Sequence, residues 1–100
     1  MAKISFHGIW NVSFTTKADK QKGKLPEKIQ LLADALAKEI AEAGPIRKNW
    51  SSFGPLSEKN TPHCHLKDGR PTYVACWRIE DKKVKIVEIY YAGTHENAPY

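Results

Sequence analysis

Apolar residues recur along this chain with two different periods. Between Leu25 and Gly44 the residues Ile29, Leu32, Ala33, Leu36, Ile40 and Ala43 fall at three- and four-residue steps, the spacing that lines one side of an α-helix. The pattern predicts a helix that starts at Leu25-Pro26-Glu27 and stops at Gly44-Pro45. Proline is suited to a first turn, where no amide donor is needed, and an acid there faces the positive end of the helix dipole. A Gly-Pro pair terminates the run. Elsewhere the period is two. Ile9 to Thr16 is rich in β-branched and aromatic residues and reads as a first strand. Thr72 to Ile79 sets Tyr73, Ala75, Trp77 and Ile79 on one face and Thr72, Val74, Cys76 and Arg78 on the other. Val84 to Ala92 sets Val87, Ile89 and Tyr91 against Ile86, Glu88 and Tyr90. A shorter strand is expected over His63 to Lys67, between a connector from Arg47 to Pro62 and an Asp68-Gly69-Arg70-Pro71 turn. Lys17 to Lys24 is polar and fits either a short helix or a loop.

The order β, α, β, β, β predicts an α+β fold, with an antiparallel sheet of about four strands and the helix packed on one face. The stripe from Ile29 to Ala43 is expected against Trp77 and Ile89, and the opposite face is expected to be open for binding. One hundred residues, 41% of them hydrophobic, suit a single domain over residues 1–100 with one two-layer core. No apolar run is long enough to span a membrane or serve as a signal peptide, so a cytoplasmic protein without membrane contact is expected. Cys64 and Cys76 read as buried thiols, since one possible bridge is not a disulfide framework.

Charge changes the picture. The net charge is +5, and it is uneven. Residues 1–24 hold five Lys against one Asp, and residues 46–83 hold eight Lys or Arg against four acids. The helical segment between them is acidic, with four acids against two Lys. Positive potential therefore lies over strands and loops, which favours a nucleic acid or an acidic protein as partner or serves solubility alone.

Three of the four histidines, His63, His65 and His95, lie in the last third of the chain with Arg70, Arg78 and Tyr100. Imidazole, with an ordinary pKa of about 6.5, both takes and gives a proton near neutrality. Proton-transfer groups beside cations suit phosphate chemistry, so a nuclease is the first reading. Against it stand blander ones. His65 can be a structural histidine, Tyr100 ordinary terminal packing, Arg78 a surface partner of Glu80 or Glu88, and His63, His65 and His95 a zinc site. The remaining cysteine and carboxylates show no metal-ligand spacing, so neither metal nor cofactor is expected.

An N-terminal strand, a Leu-Pro-x-x-Ile helix ending in Gly-Pro, and strands finishing in Gly93-Thr94-His95-Glu96 and a terminal aromatic resemble the RelE/ParE superfamily of bacterial toxins from toxin-antitoxin pairs. The resemblance covers nearly the whole chain. Cys64-His65-Leu66 and Gly93-Thr94-His95 are most similar to the YafQ-like branch of messenger RNA interferases. The resemblance implies a RelE-like fold and an endoribonuclease that cuts messenger RNA in the ribosomal A site, without a metal, by attack of the ribose 2′-OH on the adjacent phosphate. It implies an antitoxin partner that holds the enzyme inactive. His65, His95 and Tyr100 fall on the family's catalytic positions, and Lys67 and Arg70 are cations in the region of its phosphate contacts. Phosphate stabilisation is divided among Lys67, Arg70 and Arg78, and His63 reads as a surface or RNA-facing residue. Two departures stand out: the Lys67-Asp68-Gly69-Arg70 turn is longer than the family's usual connection, and Val74 stands where the superfamily often has arginine. ParE-like members act instead on DNA gyrase, which gives the second reading, a non-catalytic binding toxin with the same fold.

Overall fold

The computed structural model describes residues 5–55 and 61–99. Two short strands come first, β1 (Ser5–His7) and β2 (Asn11–Phe14), then the helices α1 (Thr16–Gly23) and α2 (Glu27–Ala43). Four strands follow: β3 (Gly54–Pro55), β4 (Pro62–Lys67), β5 (Tyr73–Asp81) and β6 (Ile86–Thr94). A 3-10 turn over His95–Asn97 ends the described chain. The strands form one six-stranded sheet in the order β1-β2-β6-β5-β4-β3.

The α+β class is as expected, and the sheet is larger and mixed rather than purely antiparallel. Ile9 to Thr16 is not one strand. A turn at residues 8–10 folds the chain into a β1-β2 hairpin, and Thr15 leaves the sheet to cap α1, its hydroxyl accepting from the Ala18 amide at 3.0 Å. The helices then carry the chain across the sheet, so β2 lies parallel to β6, with Val12 beside Val87 and Phe14 beside Ile89. Crossovers through helices are how parallel neighbours arise. The added edge strands β1 and β3 have three and two residues, too short for a period-two pattern to show.

Helix α2 buries Ile29, Ala33, Leu36, Ala37, Ile40 and Ala41. Ala43, expected in the stripe, is exposed, and Ala37 and Ala41 take its place. The small side chains admit the hairpin close to the helix end, where the Trp10 amide donates to the Ala41 carbonyl at 2.9 Å. Gly44 ends the helix at φ 102°, a left-handed conformation that glycine adopts without strain, and its amide closes on Ile40. Against the stripe pack Val12, Phe14, Cys64, Leu66, Ala75, Trp77, Val87 and Ile89, so the expected contact of helix with Trp77 and Ile89 is present. Helix α1 adds Ala18 and the buried Lys22, whose ammonium pairs with Asp34 at 2.7 Å and lies over the Phe14 ring.

Tyr91 departs from the expected alternation. Cys76 stands opposite Tyr91 but Trp77 stands opposite Ile89, so Tyr90 is an extra residue in β6. A bulge of this kind reverses the parity of everything beyond it. Val87 and Ile89 face the helices, whereas Tyr91 packs with Val74 and Cys76 on the other face, where Tyr90 and Ala98 join them. That face is therefore partly filled at this end. Cys64 and Cys76 lie on opposite faces of the sheet, free and buried, and burial pushes each thiol up to about 12.

Candidate active site

His63 and His65 alternate with Cys64 and Leu66 along β4. Because the apolar pair enters the main core, both imidazoles face the other side of the sheet, with ring centroids 6.2 Å apart. His95 reaches them from the end of β6. Its amide donates to the Thr72 carbonyl at 2.8 Å, which fixes the last turn beside the β4-β5 connection. The His65 and His95 rings meet edge to face at 5.6 Å. His65, Arg70, Thr72, Thr94, His95 and Glu96, with Gly69 and Pro71, line one groove of about 570 Å³.

His65 has a partner that the sequence reading missed. Its Nδ1 lies 2.5 Å from Asp68 Oδ1, and Ser51 Oγ donates to the other Asp68 oxygen at 2.6 Å. The Ser51 hydroxyl first, and His65 after it, hold the Asp68 carboxyl below its ordinary range. An ionised carboxylate only accepts, so Nδ1 carries the proton in this contact, and the form of the ring that can act as a base has its lone pair on Nε2. The available signal was His65-x-x-Asp68 at the junction of a strand and a turn. His63 instead turns Nδ1 onto the Gly54 carbonyl at 2.8 Å; burial pushes its pKa down, the Gly54 hydrogen bond opposes this, and proximity to His65 and His95 adds to the lowering.

The other expected site residues divide. Arg70 lies on the histidine groove. A second bulge in β4, between His65 and Lys67, sets Lys67 opposite Tyr73, and Lys67 lines a neighbouring groove beside the start of α2. Arg78 is five residues along β5 from Tyr73, roughly 17 Å at strand spacing. There it stacks on Tyr90 and pairs with Glu80 at 2.6 Å and Glu88 at 2.9 Å. Tyr100 lies outside the described residues. Among the described residues no group of three or more His, Cys, Asp or Glu side chains is arranged to hold a metal ion, and no helix is long and apolar enough to cross a membrane.

No family model matches the sequence, and no curated protein does. Among solved structures, a chain in the crystal structure of the toxin-antitoxin complex RelBE2 from Mycobacterium tuberculosis is similar over 92% of this chain and 100% of that one. The identity is 24% and the TM-score 0.62. The fold of the chain is therefore RelE-like, as the resemblance in its sequence implied.

Proposed function

We propose that the chain is the toxin of a toxin-antitoxin pair, an endoribonuclease that cuts messenger RNA on the ribosome. The observation that carries this reading is the pairing of His65, oriented by Asp68, with His95 across one groove that also holds Arg70. In the proposed step His65 Nε2 takes the proton of a ribose 2′-OH. The 2′-oxygen bonds to the adjacent phosphorus, the bond from phosphorus to the 5′-oxygen breaks, and His95 protonates the departing oxygen. The products are a 2′,3′-cyclic phosphate end and a 5′-hydroxyl end. Arg70 faces the negative charge that grows on the phosphate. Asp68 keeps the His65 ring in the required tautomer. His63 turns onto Gly54 and does not line the groove, so it takes no part in the step. Arg78, neutralised by two carboxylates, stays out of the step.

A similar chain was crystallised within a toxin-antitoxin complex, and that supports an antitoxin as the partner here. A segment with acidic and apolar residues suits this basic surface, and an active enzyme of this kind works in the cytoplasm, where its substrate is. Single-turnover cleavage of messenger RNA on programmed ribosomes tests the reading. His65→Ala and His95→Ala are each expected to slow cleavage by about a hundred- to ten-thousand-fold, less than additively in combination, while His7→Ala leaves it unchanged. Cleavage is expected to survive EDTA once the ribosome's own magnesium requirement is controlled for. Full activity in the double variant ends the assignment of the proton transfers to these two histidines, whereas no cleavage by the unmodified chain leaves a binding toxin.

A further inference from the structure

Several cations of this chain are already neutralised: Lys22 by Asp34, Arg47 by Glu39, and Arg78 by Glu80 and Glu88. The side chains of Lys28, Lys67 and Arg70 make no ion pair or hydrogen bond among the described residues, and all three stand around one groove of about 340 Å³. Ile29 and the half-buried ring of Tyr73 also line it. Asp68 is on its rim, with its carboxylate engaged by Ser51 and His65.

This groove lies on the helix side of the sheet end, whereas the histidines lie on the other side. The two share Gly69, Arg70 and Pro71 as a common wall. The exposed turn over residues 68–71 is thus a ridge between them, and Arg70 borders both. Cations around an aromatic ring fit the backbone phosphates and a base of single-stranded nucleic acid. An acidic peptide would be drawn to the same charge. Continuity with the histidine groove favours RNA, because a strand held there for cleavage leaves it over Arg70.

Resting on the ribonuclease reading, we propose that the groove of Lys28, Lys67 and Tyr73 is a subsite for the RNA beyond the scissile phosphate. The two lysines contact its backbone and the tyrosine receives a base. The subsite contributes affinity and register, and takes no part in the proton transfers.

The test is binding of fluorescein-labelled 2′-O-methyl RNA, which cannot be cleaved, to the full chain by fluorescence anisotropy across salt concentration. Lys28→Ala is expected to lower the salt slope for a hexanucleotide by about 0.7, which corresponds to about fourfold weaker binding at roughly 0.15 M salt. A dinucleotide, long enough only for the histidine groove, is expected to be indifferent. Lys28 is exposed, so the variant folds, and circular dichroism checks it. No loss with the hexanucleotide, or an equal loss with the dinucleotide, overturns the subsite. A labelled hexaglutamate that depends on Lys28 when the RNA does not would assign the groove to an acidic protein segment. Cleavage on ribosomes separates the two readings. Binding that depends on Lys28 without any cleavage overturns the ribonuclease and leaves the subsite standing, whereas cleavage with RNA binding indifferent to Lys28 overturns the subsite alone.

Discussion

Gly93 is present for space, and Gly93→Ala measures what that space holds. The Tyr91 ring leans forward over Gly93, only 7% exposed, and its hydroxyl donates to the Thr94 carbonyl at 2.7 Å. A β-carbon at residue 93 would sit 2.7 Å from that hydroxyl oxygen and 3.0 Å from the ring carbon that bears it. Ordinary contact needs about 3.5 Å, so the ring must retreat by about 0.8 Å. That retreat stretches the hydrogen bond beyond its working range. Losing the bond costs about 1 kcal/mol, and pushing a packed aromatic ring aside costs about 1–3 kcal/mol more. Thermal unfolding should therefore fall by at least about 8 °C, given about 4–8 °C per kcal/mol for a domain of this size. Tyr91→Phe alone should cost about 1 kcal/mol. Because it also removes the nearer of the two clashing atoms, Gly93→Ala should cost at least about 1 kcal/mol less in the Tyr91→Phe background. Equal costs in both backgrounds would refute the clash and leave the glycine without this explanation.

Leu36 is fully buried between α2 and the sheet. Leu36→Ala should cost about 2–5 kcal/mol by denaturant unfolding, and Leu36→Asp should abolish the cooperative melt by forcing an unpaired carboxylate into the core. An unchanged midpoint in the aspartate variant would contradict the packing. Burial raises the Cys64 and Cys76 thiols from about 9.0 to about 12, so iodoacetamide at pH 8 should modify neither in the native protein and both in denaturant. The native thiols keep their protons up to about 12 while the unfolded chain releases them from about 9.0. Their contribution to stability is thus intact below pH 9 and is lost as pH rises toward 12. A loss of stability across that range no smaller in the Cys64→Ala and Cys76→Ala variants would contradict it.

The parts of the fold legible in the sequence are those in which period and burial agree over many residues. Helix α2 shows itself through its apolar stripe and its Pro and Gly ends, and β5 through an alternation that the structure keeps from Tyr73 to Ile79. The hairpin of β1 and β2 was hidden because its strands are shorter than the window in which a period can be read, and because Gly8-Ile9-Trp10 is an apolar turn. Its parallel pairing with β6 depends on where two helices deliver the chain, which no local pattern carries. Asp68 was overlooked for a related reason. It stands three positions after His65, and only the bulge and turn between them bring the carboxylate back to the ring. Arg78 shows the converse: residue type suggested a phosphate contact, and distance along β5 gave it to Glu80 and Glu88.

The bulges account for the site as well as for the misread faces. With strict alternation, residues 87, 89, 91, 93 and 95 would all face the helices, and His95 would leave the sheet on the side away from His65. The extra residue at Tyr90 reverses the parity, placing Tyr91 with Val74 and Cys76. The Thr72 carbonyl then holds the His95 amide as the strand turns, and the ring meets His65 at 5.6 Å. In β4 the second bulge moves Lys67 off the histidine face and places it beside Tyr73. One insertion thus brings two imidazoles together, and the other separates a lysine from them. A register device that costs a ladder hydrogen bond persists where it positions a side chain. Here the two bulges divide the end of the sheet into a groove with proton-transfer groups and a groove with cations, with Arg70 between them. If the proposed function holds, the sheet thereby separates the groups that cut a strand from those that hold it.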